Sequence, residues 1–349
     1  MTWITIGEKL EKADGICYTI EKELYRKVYM KELRIQPNDA GRRLDAFLQK
    51  AFPNLPQALM YKYIRKKRIK VNGKRAEISL RLSAGDTISL YIADALMEKP
   101  QYTYDFLHAG KALSIVYEDE NLLLLDKKPG VLCHPDDREY TDTLISRVKR
   151  YLYEKGEFDP SAENAFTPAL VNRIDRNTGG IVIAAKNAQA LRILNQKMKD
   201  RELHKFYLCI LHGAPRQKSG TLEGFLRKDA KHNKVEVLKA PCADGKQIRT
   251  KYRVLAEKNG LALTEVELLT GRTHQIRAHF AAIGHPLLGD GKYGSNAQNK
   301  PYGYKKQCLY SYKLTFDFQT DAAELSYLDK KSFEISDVWF RKAFFDGTL

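Results

Sequence analysis

Apolar residues recur along this chain at two spacings, and each spacing predicts its own kind of element. Alternation with polar residues marks strands at Ile69–Val71, Thr87–Ile92, Lys205–Leu211, Arg249–Leu255, Leu261–Leu269 and Leu309–Phe318. Denser apolar runs read as strands too: Leu122–Leu125 pairing back on Ile115–Asn121, and Ile181–Ala185 after Ala169–Ile174. Spacings of three and four mark helices. Their stripes are Leu44, Phe47, Leu48 and Ala51; Leu59, Tyr63 and Ile64; Leu144, Ile145, Val148 and Leu152; Ala188, Leu191, Leu194 and Met198; and Ile276, Phe280 and Ile283. Pro53 and Gly284 end helices, Pro56 opens one and Asn187 caps one. Asn72-Gly73 predicts a hairpin turn, and Gly179-Gly180 supplies backbone freedom where the chain reverses. Val338, Trp339, Ala343 and Phe344 predict a terminal helix in a tail over 331–349.

Charge adds a partner to this picture. Lys and Arg number 59 against 43 Asp and Glu, a formal net charge of +16 over 349 residues. A chain this basic is matched to a polyanion, most commonly nucleic acid. Eight cations crowd the stretch from Lys62 to Arg75 (Lys62, Arg65, Lys66, Lys67, Arg68, Lys70, Lys74 and Arg75) with no acid before Glu77. A solvated helix end explains two or three of them. Eight favour phosphate contact. A second basic stretch, Gly224–Gly245, reads as a hairpin arm suited to gripping RNA. The five Cys are scattered, with no Cys-x-x-Cys pair, so neither a disulfide framework nor a zinc ribbon is expected. The first residues show no signal-peptide pattern, and no apolar run reaches the length of a membrane span. A cytoplasmic monomer with reduced thiols and no membrane partner is expected.

The chemistry centres on Ala169–Lys186, where Asp175 stands at a strand end between Arg173 and Arg176. Taken alone, an Asp before a Gly-rich turn is a turn residue. Three motifs together say more. They are Asn172-Arg173-Ile174-Asp175 with Thr178-Gly179-Gly180; Lys205-Phe206-Tyr207; and Gly271-Arg272-Thr273-His274-Gln275-Ile276-Arg277 running on to Gly284-His285-Pro286-Leu287-Leu288-Gly289-Asp290. In this order they resemble the RluA-type pseudouridine synthase family. Asn172 stands where the family has His, Gly179 where it has Ser, and Tyr310-Ser311-Tyr312 where it has small and His residues. Lys127-Lys128-Pro129-Gly130, leading into His134-Pro135, resembles another family landmark. Arg42-Arg43-Leu44-Asp45, the basic second helix, Ile69–Gly73 and Gly85-Asp86 resemble the small S-four-like RNA-binding domain over roughly residues 34 to 92.

The resemblance implies an α+β chain: a mainly antiparallel β-sheet catalytic domain with flanking helices, behind a small N-terminal α/β RNA-binding domain. The expected division is an extension over 1–33, the RNA-binding domain over 34–94, a linker over 95–112, the catalytic domain over 113–330 and the tail. It implies an isomerase acting on uridines of RNA, most often large-subunit ribosomal RNA. A transfer RNA enzyme and a non-catalytic ribosome-assembly factor on the same fold are the alternatives. Asp175 is the implied acting carboxylate. Tyr207 is implied to stack on the uracil, and Arg277 to pair with Asp175, so that truncating Arg277 should cost activity more than stability. Arg173 would fill the gap left by the displaced base, and Ile276 would wall the pocket. Arg42, Arg65, Lys66, Lys67, Arg68 and Lys70 would hold RNA. The isomerisation needs no cofactor. His274, His279 and His285, five and six apart, do not share a helix face, and no metal is expected.

Overall fold

The computed structural model describes residues 30–98, 104–229 and 234–349. They fall into two compact units. In the first, β1 (Met30–Arg34), β2 (Ile69–Val71), β3 (Lys74–Arg75) and β4 (Thr87–Tyr91) form an antiparallel sheet in the order β1-β4-β2-β3. The helices α1 (Leu44–Ala51) and α2 (Gln57–Arg65) bury their apolar stripes against it: Phe47, Leu48, Met60 and Ile64 meet Ile69, Ile88 and Leu90 in one core. Asn72 and Gly73 both take positive φ, the conformation a two-residue hairpin between right-twisted strands requires.

Three boundaries differ from those expected. Met30–Leu33, counted with the extension, belong to an edge strand of the small sheet, while residues 1–29 lie outside the described residues. The expected linker is folded at both ends, with Met97 buried in the first core and Phe106 in the second. Residues 161–166 belong to the first unit, although the catalytic stretch was expected to run unbroken from 113. There Ala165 joins the apolar core, Asn164 donates to Asp39 at 2.8 Å and Asn38 donates to Glu163 at 2.9 Å.

The second unit is built on an eleven-stranded sheet. Its strands are β5 (Ile115–Glu118), β6 (Leu122–Lys127), β7 (Ala169–Leu170), β8 (Gly179–Ala185), β9 (Leu203–His212), β10 (Ser219–Asp229), β11 (Lys234–Leu238), β12 (Lys246–Lys258), β13 (Leu261–Leu268), β14 (Leu309–Phe316) and β15 (Ser332–Glu334). The order is β11-β10-β12-β13-β9-β14-β8-β6-β5, with β7 added to β8 and β15 to β14. Every pair is antiparallel except β14 with β8. Helices α3 (Leu144–Glu154), α4 (Ala188–Lys199), α5 (Gln275–Ala282) and α6 (Trp339–Asp346) accompany it. Thr143 and Asn187 accept from backbone amides at the starts of α3 and α4. The tail is thus a strand and then a helix, because Ser332–Glu334 completes the edge of β14.

Alternation along β9 splits the core in two. Tyr207, Cys209 and Leu211 join a cluster with Val148 and Leu152 of α3 and Ile276 and Phe280 of α5. Leu208 and Ile210 face the other way, toward Phe340 and Phe344 of α6. The central strand β8 is buried along its whole length, because Val182 and Ala184 serve one side and Ile181 and Ile183 the other, under Leu194 of α4. That is why its sequence is a continuous apolar run instead of an alternation.

The parallel contact of β8 with β14 leaves little room. A Cβ on Gly179 would fall within the ring of Tyr310, and one on Gly180 (φ 111°) would meet the Ser311 backbone. The Tyr310 hydroxyl donates to Asp126 at 2.5 Å, and Asp126 pairs with Lys128 at 2.6 Å. The Gly for Ser at 179 and the Tyr at 310 are therefore one packing exchange. Gly179→Ala should cost about 1–3 kcal/mol in urea unfolding, the usual scale of overpacking. In a Tyr310→Ala background the same change should cost clearly less, since the obstructing ring is gone.

Candidate active site

Asp175 follows the short strand β7 and closes a turn in which Thr178 N–H donates to its carbonyl at 3.0 Å. The approach to it is pinned by side chains instead of by a long strand. Asn172 Nδ2 donates to the Ile181 carbonyl at 3.4 Å and its Oδ1 accepts from Ile183 N–H at 2.8 Å. An Asn side chain thus imitates strand pairing where the expected strand to Ile174 has stopped at Leu170. On the other side, the buried Lys127 at the end of β6 donates to the carbonyls of Val131 (2.8 Å), Arg176 (2.9 Å) and Lys128 (3.3 Å). Burial lowers its pKa to about 8. Gly130 N–H also donates to Arg176 O, and Arg176 Nε returns a bond to Gly130 O. The loop carrying Asp175 is held from below by one ammonium and a short ladder.

From above comes α5. His274 precedes the helix with a left-handed backbone (φ 53°), and the first turn presents Arg277. Its guanidinium is a fork between two carboxylates. Nη1 donates to Asp175 Oδ2 at 2.9 Å, while Nε and Nη2 donate to the two oxygens of Asp290 at 2.7 and 2.9 Å. Asp290 is fully buried and also accepts from the amides of Lys292 and Tyr293. Burial by itself would raise the Asp290 pKa, but the hydrogen bonds and charge of Arg277 outweigh it and hold it low. Asp175 keeps a quarter of its side chain open to solvent. Tyr293 stacks its ring 5.2 Å from the guanidinium carbon, and its hydroxyl meets His274 Nδ1 at 2.9 Å. The other nitrogen of His274 lies 3.7 Å from Asp175.

These groups open into a cleft of about 670 Å³. Asp175, Tyr207, Ile276, Arg277 and Arg173 all line it. Arg173 is exposed at its edge, whereas Ile276 and Tyr207 are buried. Burial, with Asp175 nearby, raises the Tyr207 phenol well above its usual range, and a hydrogen bond from Ser311 offsets only part of this. Tyr207 therefore holds its proton at neutral pH. Arg42, Arg65, Lys66, Lys67, Arg68 and Lys70 belong to the first unit and form no part of the cleft. Five of them surround the end of α2 and the start of β2, with Arg68 over the ring of Tyr63 and Lys70 over that of Tyr91; Arg42 precedes α1. His279 is engaged by Thr250 and His285 by the His212 carbonyl. Among the described residues no group of three or more His, Cys, Asp or Glu is disposed to hold a metal ion, and no helix is long and apolar enough to cross a membrane.

Residues 121–282 match the family model described as RNA pseudouridylate synthase, and residues 42–88 match the S4 domain. The chain is 33% identical over 285 residues to an uncharacterized RNA pseudouridine synthase of Mycoplasma genitalium, an alignment covering 79% of this chain and 86% of that one. The chain belongs to the RNA pseudouridine synthase family. Like its relatives it is an isomerase converting uridine in RNA to pseudouridine. It is also 28% identical over 289 residues to a Vibrio cholerae protein named ribosomal large subunit pseudouridine synthase C, covering 81% of this chain and 87% of that one. Among solved structures, human RNA pseudouridylate synthase domain containing 4 shares the fold, with a TM-score of 0.50 at 19% identity over 64% of this chain and 88% of that one.

Set beside the family motifs, the structure adds residues that sequence reasoning passed over. Asp290 stood at the end of a quoted motif without a role. Lys127 stood in the Lys-Lys-Pro-Gly stretch without a role of its own. His274 was weighed only as a metal ligand. The one available signal was their place inside the motifs, since nothing in a Gly-Asp-Gly or Lys-Lys-Pro stretch announces burial. The second carboxylate adds a structural cost to truncating Arg277, a change expected to weigh on activity more than on stability. Removing it strands Asp290 as a buried, unpaired charge. Arg277→Ala should destabilise the protein by about 3–5 kcal/mol at neutral pH. A depressed folded-state pKa means that Asp290 contributes stability above the ordinary carboxylate range and loses it as pH falls through the folded value. In the variant the unpaired carboxyl protonates more readily. The difference between wild type and Arg277→Ala, read by urea unfolding, should therefore shrink between pH 7 and pH 4.

Proposed function

We propose that this enzyme isomerises specific uridines of large-subunit ribosomal RNA, with Asp175 as the acting group. The observation that carries the assignment is the Arg277 fork, which aims one carboxylate into a cleft and buries the other. The reaction breaks the bond from ribose C1′ to uracil N1, turns the freed ring and joins C1′ to C5. The C5 proton leaves and N1 gains one, so atoms and electrons balance without redox chemistry. A carboxylate can serve by attack on C1′, by attack on the ring or by removing a sugar proton. All three routes need it at the scissile bond, with a fixed orientation and a free face. Arg277 supplies the orientation through one N–H, and the open quarter of the side chain supplies the face.

The remaining roles follow from position. Tyr207 stacks on the uracil, and its hydroxyl, protonated at rest, takes up the C5 proton only as it passes its own on. Ile276 walls the pocket. A uridine leaving its stack costs a few kcal/mol, and Arg173 at the cleft edge is placed to fill the gap. The S4 unit supplies affinity through Arg42, Arg65, Lys66, Lys67, Arg68 and Lys70. The preference for large-subunit RNA rests on that appended unit and on the similarity to the Vibrio cholerae enzyme. Pseudouridine mapping in cells with and without the gene tests it. At least one uridine of large-subunit ribosomal RNA should lose its modification in the deletion and regain it on complementation. Loss confined to transfer RNA would move the substrate there, and no loss in either RNA would contradict the proposal.

A further inference from the structure

Lys205 stands two residues before Tyr207 on β9, so both point to the same face of the strand, about 7 Å apart along it, and both line the cleft. The environment of its ammonium is unusual. The nearest acceptor is the thioether of Met198, at 3.0 Å, and sulfur of this kind accepts weakly. Burial lowers the Lys205 pKa to about 8, and no carboxylate works against the shift. Lys205 is half-buried, and the two fully buried lysines of this unit are treated differently. Lys197 meets Glu202 at 2.8 Å and the Thr320 hydroxyl at 2.7 Å. Lys127 meets its three carbonyls. A protein that takes an ammonium even partly out of water ordinarily gives it oxygens, because a desolvated charge without partners is costly. Lys205 has been given none, and the cleft around it carries Lys199, Arg201, Arg249 and Arg272. An arrangement so cationic and so poor in acceptors is completed by an anion from outside.

We propose that Lys205 is the phosphate-binding residue of the catalytic cleft, its ammonium pairing with a phosphate of the nucleotide whose base stacks on Tyr207. This rests on the reading of Tyr207 given above. The strand fixes the spacing: base and phosphate of one nucleotide are gripped by alternate residues of the same strand, which sets how far the uridine enters and where C1′ lies relative to Asp175. Lys205 is thus a positioning and binding residue and takes no part in bond making.

The test uses the full-length protein with two small probes, uridine and uridine 3′,5′-bisphosphate, their binding measured by NMR titration or calorimetry. Wild type should prefer the bisphosphate, and 3′- and 5′-uridine monophosphate should show which phosphate is responsible. Lys205→Met should lose about tenfold of that preference, the scale of one charge-assisted hydrogen bond, and Lys205→Arg should restore most of it. Lys205→Met should also melt no lower than wild type, since it removes a partly desolvated charge whose protein acceptor is only a thioether. Tyr207→Ala should weaken both probes alike and leave their ratio unchanged. A wild-type protein without phosphate preference, including one that binds neither probe, overturns the inference. So does a Lys205→Met protein that keeps the preference. If Tyr207→Ala has no effect while Lys205→Met does, the stacking role fails and the phosphate site stands. The probes contain no ribosomal RNA and require no turnover, so the result does not depend on which RNA is modified.

Discussion

The structure of the active cleft depends on one buried guanidinium shared by two carboxylates. Three N–H groups of Arg277 leave the first turn of α5, two to Asp290 and one to Asp175. Burying a cation and an anion together succeeds only when the hydrogen bonding is nearly complete. Asp290 is accordingly saturated by the Arg277 fork and two backbone amides. Asp175 shares the same cation but not the burial, and this asymmetry separates their uses. One carboxylate anchors the arginine, and the anchored arginine orients the other.

The loops around this fork are arranged to keep Asp175 still. Lys127 from β6 ties the far side of its turn, Asn172 ties the near side to β8, and β8 itself is locked by burial on both faces. Two departures from the family pattern lie in this support. Asn172 makes backbone-like bonds to β8. Gly179 vacates the space that the Tyr310 ring fills, and that ring is anchored in turn by Asp126. Each departure thus has a local structural partner, and the carboxylate is left where the motif implies.

Much of this was legible in the sequence because it is periodic or local. The helix stripes of α1 to α4, the Ile276 and Phe280 positions of α5 (Ile283, expected beside them, is exposed beyond the helix end), the cap at Asn187 and the hairpin at Asn72-Gly73 follow from spacing and turn chemistry. The motif resemblance placed Asp175, Tyr207, Ile276 and Arg277 together, and the structure brings them to one cleft. What stayed hidden is nonlocal. An acid in Gly289-Asp290-Gly291 looks solvent-exposed until an arginine 13 residues earlier is seen to cover it. Lys127 beside Lys128 announces no burial until the loop that follows it and the turn at Arg176 are seen to close over it. Residues 161–166 carry no period, so nothing in them announces that they fold with the first unit. The strand expected to reach Ile174 ends at Leu170, because from Asn172 onward a side chain takes over the pairing.

In the small S4 unit the cations from Arg65 to Lys70 run from the end of α2 through the turn into β2, where Lys67 takes a left-handed backbone (φ 59°). On the proposed reading affinity and chemistry belong to different parts of one chain, and the chemistry rests on the carboxylate of Asp175. Replacing it by Asn isolates that group. Asn keeps the size of Asp, an oxygen for the Arg277 bond and the turn preference, while being neither a nucleophile nor a base. The measurement is conversion of uridine to pseudouridine in RNA by purified wild-type and Asp175→Asn proteins, beside their melting temperatures. The account predicts a fold that melts nearly as wild type with turnover lowered about a thousandfold or more. A well-folded Asp175→Asn protein converting uridine at close to the wild-type rate would contradict it.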